Sequence, residues 1–362
     1  MRVAIGAVVG TLGGPAVYAR ELVRAMAAQA GGPELVVLTD GPEQFSEFAQ
    51  TEYVALRSAW EQPIWDHVKV VRALARVGAD LYHGTKGVVP LVGRTPAIVT
   101  IHDLAAYVMP ETFSFAQRLH QRFETPLTVR RAKRIVTVSQ ASARDLRHHF
   151  PAASQRIEVI GNGVALRGTT PPASDIRDWR ARWTRGGPVV GYLGTIQPRK
   201  NVEALVAGFL AVAGPDWTLL LAGRIRPGYR PAFLDQPDPR VRYLGVLDDD
   251  MVRLFLSSLD IMVSPSSYEG FGLTLVEAMA AGTPVIAVNA SAVPEVVGDA
   301  AVLIAEPNER LIGDAIASLI ADPHKRSELS AKGVRQAALH TWEGAAAAML
   351  ELYAQVGAEV AS

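Results

Sequence analysis

Short apolar runs rich in valine and isoleucine recur along the chain at 2–9, 34–39, 98–102, 134–138, 157–160, 188–193, 217–222, 261–264, 284–288 and 301–304. Runs such as "IVTI" and "TLLLAG" do not alternate with polar residues, which is the pattern of strands covered on both faces in a parallel sheet. The stretches between them carry helical spacing. In 17–30, Val17, Leu22, Val23 and Met26 can share one helical face, leaving Arg20, Glu21 and Arg24 to water. Strand, helix, strand therefore repeats in both halves, and the expected fold class is α/β with two doubly wound parallel sheets. The best boundary is near 166–187, where Thr-Thr-Pro-Pro-Ala-Ser breaks the pattern and Gly186-Gly187 precede a new strand. This divides the chain into 1–167 and 168–340, with a terminal stretch 341–362. Open parallel sheets bind ligands beyond the carboxyl ends of their strands, so motifs are sought there and in a cleft between the domains.

The length of 362 residues agrees with two domains, and 49% hydrophobic with 20% charged residues suits large cores. Cysteine is absent, which excludes disulfides, zinc thiolates and a cysteine nucleophile and agrees with a cytoplasmic protein. No apolar run approaches the roughly 20 residues of a membrane span. The opening "MRVAIGAVVGTLGG" is read as a first strand, because it breaks into glycines and lacks a small-x-small cleavage site. Net charge is zero, so a general nucleic-acid binder is not expected. The balance is uneven, however: residues 1–167 hold 19 basic and 14 acidic side chains, against 17 and 22 in 168–362. An anionic partner should favour the first half.

After the apolar strand "IMVSPSS" comes "YEGFGLTLVEAMAAGTPVIAV". Glu269 falls in a loop, Gly270 and Gly272 permit close backbone approach, and a helix should run from Gly272 or Leu273 to Ala281, stopped by Gly282. Free amides and the positive end of a helix then lie behind a carboxylate, an arrangement suited to a pyrophosphate flanked by polyol groups. Glu277, on the second turn, can line the same pocket at another depth. In the strand-to-helix turn "GTIQPRKNVEALV", Arg199 and Lys200 form an anion site beside Asn201, a candidate helix N-cap.

Two glutamates with seven residues between them, followed by "AMAAGTPVIA", resemble the hallmark of family 4 retaining glycosyltransferases of the GT-B fold. The resemblance implies that Glu269 contacts donor-sugar hydroxyls and Glu277 the nucleotide ribose, while the backbone around Gly270, Phe271, Gly272 and Leu273 meets sugar or diphosphate. It makes Arg199 and Lys200 ligands that offset charge on the leaving nucleotide. Many relatives carry arginine directly after the glycine of this strand, where this chain has Thr195; Arg224 can supply a second charge. His102 and Asp103, closing "AIVTIHD", resemble the family position whose histidine contacts the donor sugar near the reacting carbon, with Asp103 as readily a cap for the next turn. Gly13 and Gly14, in a loop that also holds Gly10, match a glycine pair approaching donor or acceptor, and Ser139 lines the cleft by analogy. No GxGxxG is present.

The resemblance thus assigns 1–167 to the acceptor side and 168–340 to donor binding, and makes 341–362 a closing helix that returns to the first domain, anchored by Trp342 and Tyr353. The expected activity is transfer of a hexose from a nucleotide-diphosphate sugar to a saccharide or lipid-linked acceptor, with retained configuration and no protein nucleophile. GDP-mannose comes ahead of a UDP-sugar. The alternatives are a UDP-sugar-dependent glucosyl or N-acetylglucosaminyl transferase, a nucleotide-sugar epimerase, and a silent sugar-binding protein. No cofactor or metal is implied: "LDDDM" at 247–251 mimics an acidic metal motif but stands where aspartates favour a helix start. Finally, 113–134 holds Arg118, Arg122, Arg130, Arg131, Lys133 and Arg134 against Glu124, a face for anionic lipid at the inner membrane surface or for a phosphorylated acceptor, interrupted by Pro126.

Overall fold

The computed structural model describes residues 1–8, 13–47, 49–56, 61–164 and 170–361. Two compact units emerge, Met1–Gly163 with Thr341–Ser362, and Val164–His340. In the first, β1 (Arg2–Gly6), β2 (Glu34–Thr39), β3 (Gln50–Tyr53), β4 (Leu81–Gly84), β5 (Ala97–Thr100), β6 (Arg134–Thr137) and β7 (Ile157–Val159) form one sheet in the order 3-2-1-4-5-6-7. Every pairing is parallel. In the second, β8 (Val189–Leu193), β9 (Thr218–Ala222), β10 (Val241–Gly245), β11 (Ile261–Ser264), β12 (Val285–Val288) and β13 (Ala301–Ile304) pair in parallel in the order 10-9-8-11-12-13. Val190, Leu219, Leu221, Val263 and Ile286 are fully buried, as apolar strands sandwiched between helix layers must be.

Three strands carry no continuous apolar run and lie outside the sequence expectation: β3, β4 and β10. Two of them, β3 and β10, are sheet edges, where polar residues such as Gln50, Glu52 and Arg242 can face solvent. The stretch 166–187 is also less of a linker than its prolines suggest. Residues 165–169 lie outside the described set, but Ala173–Trp183 is a helix that buries Trp179 and sends Arg180 to Asp260 at 3.0 Å. In the helix Gly14–Ala27, Glu21 does not face water. It is buried beside Arg20 and Arg24, whose guanidinium nitrogens lie 3.3 and 3.2 Å away and compensate its charge.

The terminal helix Trp342–Ala361 packs on Gly14–Ala27 within the first unit, burying Trp342 and Tyr353. Its Tyr353 ends a buried polar chain. Tyr353 Oη meets His83 Nδ1 at 2.6 Å, His83 Nε2 meets Thr100 Oγ1 at 2.7 Å, and Tyr18 Oη reaches the same Thr100 oxygen at 2.9 Å. Burial pushes the His83 imidazole down to about 3, so the ring is neutral and pairs one donor nitrogen with one acceptor.

Candidate active site

In the second unit the strand ends converge through glycine. Gly194 and Gly223, which follow β8 and β9, both have positive φ (146° and 125°), and a Cβ on Gly223 would lie 2.1 Å from the Gly194 carbonyl oxygen. Only glycine permits that approach. Beyond Gly194, Thr195 offers its carbonyl to Tyr192 Oη at 3.0 Å, and the chain passes through a short turn, Pro198–Lys200, before the helix Val202–Val212. Arg199 Nη1 donates to the Tyr268 carbonyl at 2.6 Å, and the Lys200 ammonium binds the Glu269 carboxylate directly. Asn201 occupies the N-cap position but not the expected role. With φ 48° its side chain turns away from the helix and donates to the Pro265 carbonyl at 2.9 Å and to Ser267 Oγ at 2.8 Å. The loop after β8 is thereby tied to the loop after β11.

Glu269 is fixed from its other side by Ser291. The Glu269 amide donates to Ser291 Oγ at 2.7 Å, and the same hydroxyl donates to the Glu269 carbonyl at 2.9 Å. Burial alone would raise the Glu269 carboxyl, but the charges of Lys200 and Arg199 outweigh it and hold the group below the usual carboxylate range. The loop then turns at Gly272 (φ 97°) into the helix Leu273–Ala280, which ends as expected at Gly282 (φ 76°). Two cations therefore act on one ionised carboxylate, in the loop that leads into the free amides of the helix's first turn. Gly270 and Phe271 are buried, and Phe271 meets the His340 ring edge-on at 5.4 Å.

The Glu277 side chain, on the same helix, makes no hydrogen bond among the described residues; burial and the neighbouring Asp249 push its carboxyl up to about 8. A polar group from a ligand would relieve that cost. Asp248 caps the helix Asp249–Ser257 by accepting from the Met251 amide at 2.8 Å, so the three aspartates serve a helix start. Arg224 is exposed.

The other candidates lie in the first unit. Gly13 (φ 95°) occupies the N-cap of Gly14–Ala27; Gly10 lies outside the described residues. His102 donates from Nε2 to the Thr85 carbonyl at 2.8 Å and stands edge-on to Tyr18 at 4.7 Å. Burial lowers its basicity, leaving Nδ1 as an acceptor. One Asp103 oxygen caps the following turn through the Ala105 amide at 2.9 Å. Ser139 is buried, and its Oγ caps the helix Gln140–His149 through the Ser142 amide at 3.0 Å. Ser267 and Ser291 fix the loops of the site, and no sequence motif marks either of them.

Two family signatures match. Glycosyltransferase Family 4 covers residues 12–167, and Glycosyl transferases group 1 covers residues 187–322. The O-antigen chain mannosyltransferase B of Escherichia coli is 30% identical over 295 residues, spanning 75% of this chain and 74% of that protein. The chain belongs to glycosyltransferase family 4. Another relative, the D-inositol 3-phosphate glycosyltransferase of Jonesia denitrificans, is 27% identical across 95% of this chain and 91% of its own. Anabaena Alr3699/HepE, solved with UDP-glucose, superposes with a TM-score of 0.80 at 21% identity over 98% of this chain and 100% of that one. Two parallel-sheet units and these relatives make this family 4 chain a GT-B glycosyltransferase.

Proposed function

We propose that this family 4 enzyme moves a hexose, mannose first, from a nucleotide-diphosphate sugar to a saccharide or lipid-linked acceptor in glycan assembly, with retained anomeric configuration. The observation that carries the donor half is the ion pair of Lys200 with Glu269, beside Arg199 and the start of the helix Leu273–Ala280. In this scheme Glu269 accepts hydrogen bonds from sugar hydroxyls and the two cations, with the free amides, take up charge on the departing diphosphate. Glu277 meets the ribose. His102 serves the sugar near the reacting carbon, and the departing phosphate helps to accept the acceptor's proton, so no metal or other cofactor takes part. Mannose is favoured because the E. coli relative is a mannosyltransferase. A UDP-glucose donor is the second reading, favoured by the sugar nucleotide bound in the Anabaena structure. A thermal-shift screen of GDP-, UDP- and ADP-sugars, in the presence of a chelator, is expected to single out GDP-mannose by a rise of several degrees. A larger rise with a UDP-sugar would move the assignment to the second reading, and no rise with any of them would end it.

The helix Phe115–Arg131 supports a peripheral membrane role at the inner face. It runs without interruption through Pro126, and Tyr107 Oη donates to the Gln121 carbonyl at 3.0 Å in the turn before that proline. Phe115, Leu119, Phe123 and Leu127, spaced four apart, are 71%, 44%, 67% and 47% exposed. Exposed Arg118 and Arg122 flank this stripe. Large apolar groups in water beside cations suit the surface of an anionic bilayer. Co-sedimentation with phosphatidylglycerol vesicles is expected, with little on phosphatidylcholine alone. Phe123→Ser should weaken it by about tenfold, since burying a phenylalanine is worth about 1.5–3 kcal/mol. Equal binding of both proteins would remove the helix from this role.

A further inference from the structure

The strand order of the first unit's parallel sheet reverses between β1 and β4: successive strands are added on one side from β1 to β3 and on the other from β4 to β7. Such a switch point opens a crevice beyond the carboxyl ends of the strands. A pocket of about 170 Å³ lies there. Pro15 lines it after β1, Lys86 after β4, and His102 with Asp103 after β5; the helix Phe115–Arg131 closes it with His120 and Glu124. All of these residues belong to one unit.

Glu124 is placed with care. His67 Nε2 lies 3.3 Å from one carboxylate oxygen, and Thr128 Oγ1 donates to the other at 3.4 Å. Burial favours the neutral acid, but the hydrogen bond and charge of His67, with the charge of His120, keep the group below the usual carboxylate range. Behind it Asp66 is bound by Gln62 Nε2 at 3.0 Å, so the imidazole of His67 stands among carboxylates. The pocket thus presents acceptors on Glu124, Asp103 and His102 Nδ1 and donors on Lys86 and His120. A phosphate group, whose oxygens only accept, would leave Glu124, Asp103 and His102 Nδ1 without donors. A ring bearing neutral hydroxyls, each both donor and acceptor, can satisfy both kinds of group.

We propose that this pocket binds the hydroxyl-rich, uncharged ring of the acceptor, and that Glu124 determines its specificity by accepting hydrogen bonds from that ring. The assignment rests on the transfer reaction proposed above for its purpose, but ring binding can be measured without a donor. The full chain would be titrated calorimetrically with methyl α-D-mannopyranoside, myo-inositol and myo-inositol 1-phosphate, and separately with the preferred nucleotide sugar. At least one neutral polyol should bind saturably and more tightly than the phosphorylated ring. Glu124→Gln should weaken that binding by about tenfold, the loss expected for a hydrogen bond to a charged group, and leave nucleotide-sugar binding within about twofold. His120→Ala, at an exposed position, supplies a second variant whose folding is not at risk and should weaken polyol binding by about threefold. Tighter binding of the phosphorylated ring, absence of polyol binding, or polyol affinities unchanged in both variants would each overturn the proposal. Failure of every nucleotide sugar to bind, with polyol binding intact, would instead count against the donor assignment.

Discussion

Glu269→Ala is expected to lower sugar transfer by about a thousandfold, with Glu269→Gln close behind. The carboxylate is ionised because Lys200 and Arg199 outweigh its burial, and both its amide and its carbonyl are bound by Ser291. A group so fixed costs little reorganisation when a sugar hydroxyl arrives, and removing one preorganised partner of a reacting substrate costs about 3–4 kcal/mol in the barrier. The two substitutions separate chemistry from folding. Alanine leaves the Lys200 ammonium, which is only 14% exposed, without its carboxylate, and should lower stability by roughly 2–3 kcal/mol. Glutamine keeps the volume and a hydrogen-bond acceptor, so its loss of activity should come with a smaller shift in melting temperature. Initial rates with the preferred donor, beside thermal melts, provide the measurement. Turnover within tenfold of the native enzyme in both variants would remove Glu269 from the site.

Lys200→Ala should lower kcat by a hundredfold or more and also move the pH profile. In the native chain Lys200 is the first of the charges that draw the Glu269 carboxyl down against burial. Without it, burial gains weight, the folded-state pKa of Glu269 rises, and protonation begins at higher pH. The acidic limb of kcat/KM should therefore shift upward, and activity that the native enzyme keeps at mildly acid pH should be lost. Arg199→Ala is the contrasting variant. It removes a diphosphate partner and the bond to the Tyr268 carbonyl, yet leaves the Lys200–Glu269 pair in place, so kcat should fall with a smaller movement of the acid limb. Identical pH profiles for Lys200→Ala and the native enzyme would show that the pair does not govern the carboxylate.

The parallel sheets and the loop from Glu269 to Glu277 were legible in the sequence because each depends on local signals. Strands covered on both faces read as apolar runs, and Gly272 and Gly282 stand where the chain must take positive φ. What escaped depends on partners far away in the chain. β4 reads as "LYHG", and its histidine is acceptable in a core because Tyr353 and Thr100 arrive to bind its two ring nitrogens. Glu21 looks like a solvent-facing position until the two arginines beside it fold over its carboxylate. Asn201 sits where a helix cap belongs, but the loop after β11 offers its amide better acceptors than the helix does. Pro126 carries the opposite lesson. A proline lowers helix propensity, yet the helix passes through it, supported by a capping box of Ser114 with Gln117 at its start.

The bond between His83 and Tyr353 joins residues 270 positions apart. The whole second unit, Val164–His340, is spelled out between them. A growing chain therefore exposes the complete sequence of the second unit, which can fold as soon as it leaves the ribosome, while the first unit still lacks its terminal helix. The half whose synthesis starts first is completed only after the second unit has been made, and until Trp342–Ala361 emerges its face for Trp342 and Tyr353 stays uncovered.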